Sequence, residues 1–220
     1  MATLVSIQIG KPQQLQPVEG DIGTKPWTTS FFKLPVAGPV WASTLTLEGD
    51  DVADRRHHGG RDKAVCVYSA DHHAYWRDDL SFGEEFGGGA FGENFTVAGL
   101  DEDTVCVGDR WRVGDADFEV SQPRQPCSKL ARRWKTKDLT ARVERNGLTG
   151  WYLRVIQEGA VTAGDPVERL ARPLPEWTIA RANEVMHHRK KDREATAELA
   201  GVELLANSWR GQLRRRLAKL

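Results

Sequence analysis

The sequence predicts a mainly β protein with some α: a sandwich or barrel of short strands over residues 1–170, followed by a small all-helical domain over residues 171–220. Three observations predict it. Short β-branched or aromatic runs recur at close spacing through the first part, each punctuated by Gly, Pro or Asp. Of the 21 glycines, 19 lie before residue 171, so the first part is rich in turns and the last part is not. The prolines Pro173 and Pro175 separate the two textures.

The expected strands are residues 4–9, 40–47, 64–68, 94–97, 104–107, 110–113, 117–120 and 153–157. Two helices interrupt them. The first covers 69–80, with Ser69 as its N-cap. The second covers 129–145, where Leu130, Trp134, Leu139 and Val143 sit among many charges. Beyond the prolines, a helix over 176–188 opens just after Pro175, which suits a first turn. Another over 193–200 stops at Gly201, a favourable residue just past a helix end. The last, over 208–220, spaces Trp209, Leu213 and Leu217 four apart, one apolar stripe on one face. Most of the eight tryptophans read as core, with Trp76 or Trp151 as candidates to border a substrate.

Composition narrows the function. With 40% hydrophobic and 28% charged residues, the chain is an ordinary globular one, not a disordered or collagen-like one. No apolar run approaches the ~18 residues that span a bilayer, so no membrane partner is expected. The 31 basic and 31 acidic side chains cancel, which removes the footprint of a whole-chain nucleic-acid binder. The balance hides an asymmetry: residues 171–220 hold 11 basic and 6 acidic side chains, and residues 1–170 hold 20 and 25. The run Arg214-Arg215-Arg216 reads as a solvated helix face; nucleic-acid contact through it is the weaker reading. The opening Met1-Ala2-Thr3-Leu4-Val5-Ser6-Ile7 has neither a basic flank nor a long apolar core, so it does not read as a secretion signal. Three cysteines, far apart, argue against a disulfide framework and for a reducing compartment, so the expected location is the cytoplasm.

The cysteines are not equivalent. Cys66 and Cys106 lie inside apolar, strand-like runs, where a thiol behaves as a small hydrophobe. Cys127 lies in Ser121-Gln122-Pro123-Arg124-Gln125-Pro126-Cys127-Ser128-Lys129, where two prolines argue for a stiff loop after the strand 117–120. Arg124 and Lys129 flank the sulfur, and nearby cations favour thiolate, the form a nucleophile or soft-metal ligand needs. A loop cysteine with neighbouring surface charges fits the same residues. No CxxC and no HExxH occurs, so any metal is expected to arrive inside a cofactor with one protein ligand.

A second constellation is Ala53-Asp54-Arg55-Arg56-His57-His58-Gly59-Gly60-Arg61-Asp62-Lys63-Ala64-Val65. Gly59 and Gly60 let main chain approach a ligand, and the basic side chains suit a phosphate or another anion. A Gly-Gly hairpin turn fits equally. The third is Phe91-Gly92-Glu93-Asn94-Phe95-Thr96-Val97, where Asn94 either presents its amide to a heterocycle edge or simply leads a turn into a strand.

Together these segments resemble the MOSC family, named for the C-terminal domain of molybdenum cofactor sulfurases, in its YiiM-like form. The carrying stretches are the histidine–glycine run 57–65, residues 91–97, the cysteine loop 120–130, Thr149-Gly150-Trp151-Tyr152-Leu153-Arg154-Val155 with 159–165, and Pro175-Glu176-Trp177-Thr178-Ile179-Ala180-Arg181-Ala182-Asn183. They cover nearly the whole chain in order. The resemblance implies a MOSC-type β-barrel domain plus a small C-terminal α-helical domain. It implies the molybdenum cofactor (molybdopterin), with Cys127 as the metal ligand and catalytic centre. Lys33, His58, Gly59, Gly60, Lys63, Asn94, Ser121, Gln122, Arg124 and Lys129 are the implied cofactor-binding residues, with Thr29 and Ser30 matching more loosely. The implied activity is reduction of N-hydroxylated compounds, such as hydroxylaminopurine-type base analogues. No cysteine set for an iron–sulfur cluster and no flavin-binding fingerprint are read here, so the electrons are expected from a partner flavoprotein. The competing reading is a cofactor carrier or sulfur-transfer module without turnover of its own.

Overall fold

The protein is described by a computed structural model covering residues 1–220. In chain order its strands are β1 (Thr3–Ile9), β2 (Gln13–Leu15), β3 (Trp27–Thr29), β4 (Leu34–Pro35), β5 (Val40–Ala42), β6 (Val65–Ser69), β7 (Phe95–Ala98), β8 (Arg110–Val113), β9 (Ala116–Pro123), β10 (Trp151–Gln157), β11 (Gly159–Val161) and β12 (Glu168–Ala171). The α-helices are α1 (Arg55–His58), α2 (His73–Leu80), α3 (Ser128–Arg133), α4 (Leu139–Asn146), α5 (Ile179–Asn183), α6 (Arg193–Gly201) and α7 (Asn207–Leu217). A π turn, Glu184–His188, continues α5.

Eight strands form one mixed sheet in the order β12-β8-β9-β10-β6-β7-β1-β4, and two small ribbons, β5 with β11 and β2 with β3, accompany it. Only β6 and β7 run parallel. β6 is buried along its whole length, as its unbroken run Val65-Cys66-Val67-Tyr68 requires of a strand covered on both faces. β12 is exposed throughout and carries Glu168 and Arg169, charges that discourage a further strand from pairing there. The sheet curls into a half-barrel. Its open side is bridged where Leu4 N donates to Asp165 O (2.9 Å), Gly164 N to Leu4 O (2.7 Å) and Val167 N to Ala2 O (3.0 Å).

Several expected elements change. Residues 104–107 are not a strand, although Val105, Cys106 and Val107 are buried: Asp101 accepts from Thr104 N at 2.9 Å and Asp109 accepts from Cys106 N at 3.1 Å, and these side-chain bonds hold the run in turns. The expected helix 129–145 is two helices, α3 and α4. Between them Lys135 takes a left-handed φ of 52°, its ammonium donates to Glu19 O (2.6 Å), and Trp134 Nε1 donates to Ala90 O (2.7 Å). The expected helix 176–188 starts later, because Thr178 caps it by accepting from Arg181 N at 3.0 Å. Gly201 is the last residue of α6, and the residue after it, Val202, has a φ of −66°, so no left-handed glycine ends the helix. The run 40–47 is strand only over β5 and then folds back, with Ala42 bridging to Leu47.

One apolar core runs through both parts of the chain. It joins Ile7, Val65, Trp111, Phe118 and Trp151 of the half-barrel to Trp177, Ile179, Leu199, Trp209 and Leu213 of the helical region. A second cluster of Tyr68, Trp76, Phe86, Phe91, Leu130, Leu139 and Val143 lies under α3 and α4. There Tyr68 and Phe91 stack at 3.8 Å between ring centroids, and Trp76 Nε1 donates to the Tyr68 hydroxyl at 2.5 Å. Trp76 and Trp151 are both fully buried, so neither borders a substrate. Because the main core is continuous, urea unfolding followed by far-UV circular dichroism and by tryptophan fluorescence is expected to give one coincident transition. Trp209→Ala is expected to lower its free energy by about 3–5 kcal/mol; two separated transitions would contradict a shared core.

Candidate functional site

A cavity of about 370 Å³ opens between the glycine-rich loop, the N-terminal segment and the cysteine loop. That volume lies within the range of small-molecule sites. Its wall includes Thr29, Ser30, Lys33, His58, Gly59, Gly60, Lys63, Arg124, Cys127 and Lys129, so segments separated by nearly a hundred residues converge there.

The cysteine loop departs from the sequence expectation at its start. Two prolines suggested a loop from residue 121, but β9 continues to Pro123, which pairs with Trp151 at the end of the β10 ladder. The register slips between Tyr152 and Leu153, leaving Ser121 as the extra residue of a bulge. Ser121 Oγ donates to Asp62 O (2.6 Å) and Tyr152 O (3.1 Å). Gln122 Oε1 accepts from Ser208 Oγ at 2.9 Å. Neither Ser121 nor Gln122 lines the cavity; both tie its walls together from behind. The free loop is therefore short, and Cys127 already stands at the N-cap of α3, half-buried.

On the opposite wall, Asp54 caps α1, accepting from His57 N at 3.2 Å and meeting His57 Nδ1 at 2.8 Å. His57 is thereby held outside, while His58 faces in. Gly59 has no room for a side chain: a Cβ would sit 2.9 Å from Arg55 O. Gly60 takes a φ of 95°, a conformation that favours glycine. Lys63 Nζ donates to His57 O at 2.5 Å, and burial lowers its pKa.

The cavity's charges do not cancel locally. Asp50 pairs with Lys33, Asp51 with Arg55 at 3.0 Å, and Asp54 meets His57. Lys63, Arg124 and Lys129 form no ion pair. Arg124 is the extreme case. It is 6% exposed, its Nη2 donates to Phe91 O at 2.5 Å, and its Nη1 has no partner. Ser30 Oγ is likewise buried and unpartnered. A buried cation with an idle donor is a demand for an anion. Burial, reinforced by Arg124, Lys63 and Lys129, lowers the His58 pKa to about 4. At neutral pH His58 is therefore an uncharged imidazole with one donor and one acceptor nitrogen.

Two expected residues are committed elsewhere. Lys33 lines the cavity, but its ammonium pairs with Asp50 and both side chains are almost fully buried. Asn94 lines it too, yet its Nδ2 donates to Asp50 Oδ2 (2.8 Å) and Gln8 O (3.2 Å), and its Oδ1 accepts from Cys66 N (3.1 Å). Its amide thus joins strands and offers no free edge to a heterocycle. Other wall residues went unnoticed in the sequence: Asp50, Tyr152 and Cys66. Cys66 sits on β6 among hydrophobes, so its pattern signalled packing alone. Burial pushes its thiol up to about 11, and the Tyr152 hydroxyl lies against it.

No group of three or more His, Cys, Asp or Glu side chains converges as a metal site. The run Gly87-Gly88-Gly89-Ala90-Phe91-Gly92 has the GxGxxG spacing, but it leads by turns into β7 and not from a strand into a helix, so it is no dinucleotide fingerprint. A half-buried cysteine sulfur, Cys127, with unpaired cations and idle buried donors fits an anionic, sulfur-ligated cofactor.

Comparison with known proteins agrees with this architecture. The MOSC domain matches residues 54–168, and the YiiM-like 3-alpha helix domain matches residues 177–220. YflK of Bacillus subtilis is 39% identical over 218 residues, 99% of this chain and 96% of that protein. A protein named "Reductase" from Gibberella moniliformis is 35% identical over 78% of this chain, which spans 31% of that longer protein. The crystal structure of YiiM from Geobacillus stearothermophilus superposes with a TM-score of 0.82 at 36% identity, covering 99% of this chain and 100% of that one. The chain belongs to the MOSC domain family.

The neutral His58 has a measurable consequence. Its folded pKa is depressed, so the unfolded chain binds the extra proton between pH 6.5 and about 4, and stability contributed at neutral pH is lost as pH falls through that window. Burial lowers His73 and His187 to about 4 as well, and they act in the same direction. An NMR titration of the imidazole resonances is expected to place the His58 midpoint near 4 and its neutral form at pH 6; a midpoint near 6.5 would contradict the buried, cation-flanked setting.

Proposed function

We propose that this chain is a molybdenum-cofactor-binding oxidoreductase that reduces N-hydroxylated compounds, hydroxylaminopurine-type base analogues among them, with electrons from a partner flavoprotein. One observation carries the reading: the buried Arg124, with an idle Nη1 and in contact with no carboxylate, stands in the same cavity wall as the Cys127 thiol. Membership of the MOSC family and the likeness to a protein named reductase support it.

When bound, the cofactor supplies two-electron redox chemistry at a soft metal. This chain supplies everything else. Of the two cysteines in the wall, Cys127 would hold the metal, because it is half-buried whereas Cys66 is buried and held as a thiol. Arg124, Lys63 and Lys129 attract the negative pterin phosphate, and Arg124 can meet it with a planar fork of donors. Gly60, with open space where a side chain would stand, leaves room for close approach. Lys33 and Asp50 shape the wall without adding net charge. His58, neutral at pH 7, can hold or pass a proton near the reacting nitrogen and oxygen. Cys66 and Tyr152 stay protonated because burial raises both, so they offer hydrogen bonds and no competing anion. Reduction breaks the substrate N–O bond, consumes two electrons and two protons, and leaves an N–H bond and water.

Protein made in a host that synthesises the cofactor is expected to carry about one molybdenum per chain, as a single thiolate site dictates. Cys127→Ala is expected to lose it, while Arg124→Leu retains the thiol but loads poorly. Metal analysis by mass spectrometry checks both, and normal loading of Cys127→Ala would end the ligand assignment. Steady-state reduction of an N-hydroxylated purine with a flavoprotein donor then separates an enzyme from a carrier: fully loaded protein without turnover favours the carrier.

A further inference from the structure

The helical region contributes no residue to the cavity wall, yet its last helix grips both loops that form it. On the cysteine side, Gln212 of α7 exchanges two hydrogen bonds with Gln125, at 3.1 and 3.3 Å, two residues before Cys127. Ser208, one turn earlier on the same helix, donates to Gln122 at 2.9 Å, and Ala206 N donates to Ser121 O at 2.9 Å. On the glycine side, Asn207 N donates to the Asp62 carboxylate at 3.2 Å, next to Lys63. Asp62 also accepts from Arg154 Nε at 2.6 Å, and Arg154 Nη1 reaches Leu204 O, just before α7, at 2.9 Å. Ser121 closes the loop of contacts through Asp62 O at 2.6 Å.

We infer that the three-helix domain is a positioning clamp: the turn before α7 and the first two turns of α7 hold the cysteine loop and the glycine loop at one separation. Asp62 and Gln212 are its contact residues. Neither lines the cavity, so each acts through others: Asp62 through Lys63, and Gln212 through Gln125 on Arg124 and Cys127. The physical need is plain. Lys63, Arg124 and Lys129 repel one another, and contacts made from behind the loops oppose their separation. The inference rests on the cavity reading above for which groups are brought together, but it does not need the metal.

The test therefore uses the full chain without added molybdenum. Alkylation of Cys127 is followed by peptide mass spectrometry with two probes, the anion iodoacetate and neutral iodoacetamide, alongside thermal melting. The ratio of the two rates, taken against free cysteine, reads the cation cluster around the sulfur and not mere exposure. Wild-type protein is expected to favour the anion. In Gln212→Ala and Asp62→Ala the ratio is expected to fall roughly threefold or more, since small displacements of oriented groups act steeply. Arg181→Ala, which removes the Glu198 contact at 3.4 Å elsewhere in the helical domain, is expected to leave it unchanged. An unchanged ratio in folded Gln212→Ala, or an equal fall in Arg181→Ala, overturns the clamp alone. No anion preference in the wild type overturns the cationic cavity itself. Should Asp62→Ala fail to fold, Gln212→Ala decides, because its contact is between half-buried side chains and carries no charge.

Discussion

A guanidinium buried without a carboxylate costs several kcal/mol, and Arg124 is such a group. Its cost is only partly met: the Phe91 carbonyl takes one nitrogen, and the rings of Phe31 and Phe91 lie 5.9 and 5.7 Å from its carbon. Much of the site is arranged around that unmet demand. The Gly87–Gly92 turns bring the Phe91 carbonyl to it, held by Glu93, which accepts from Gly89 N at 2.6 Å and Phe91 N at 3.0 Å. The carboxylates nearest the cavity are engaged with other partners. An anion that enters meets a charge already paid for by folding, which is what preorganisation means energetically.

The same logic explains why the cysteine loop is short. A bulge at Ser121 and a ladder continued to Pro123 carry strand rigidity up to Arg124, and α3 begins at Ser128. Cys127 is thus suspended between two regular elements. Each is anchored in a different core cluster, β9 through Phe118 and Val120 and α3 through Leu130.

Several features were legible in residue order. The fold class, the strands β1, β6 and β8, and the helical ending follow from periodicity and from glycine and proline placement, which are local. The expectation that Cys127 differs from the buried Cys66 and Cys106 followed from its prolines and flanking cations, also local. Errors fell where a specific side-chain hydrogen bond, local at Asp109 and Thr178 and distant at Trp134 and Lys135, overrode the propensity pattern. Asp109 held 104–107 in turns, the Trp134 and Lys135 contacts split one helix into two, and Thr178 moved a helix start away from Pro175.

By itself the sequence singled out residues that line the cavity: a cysteine following two prolines and flanked by cations, a glycine pair, and basic side chains with no acidic residue beside Arg124 in the chain. Only the tertiary structure decided how those residues are spent. It turned Lys33 and Asn94 inward to Asp50, set Ser121 and Gln122 behind the wall, and added Cys66 and Tyr152 to it. The reason is that a side chain's charge and reactivity are written in its own atoms, whereas its hydrogen-bond partner and its exposure depend on segments tens of residues away.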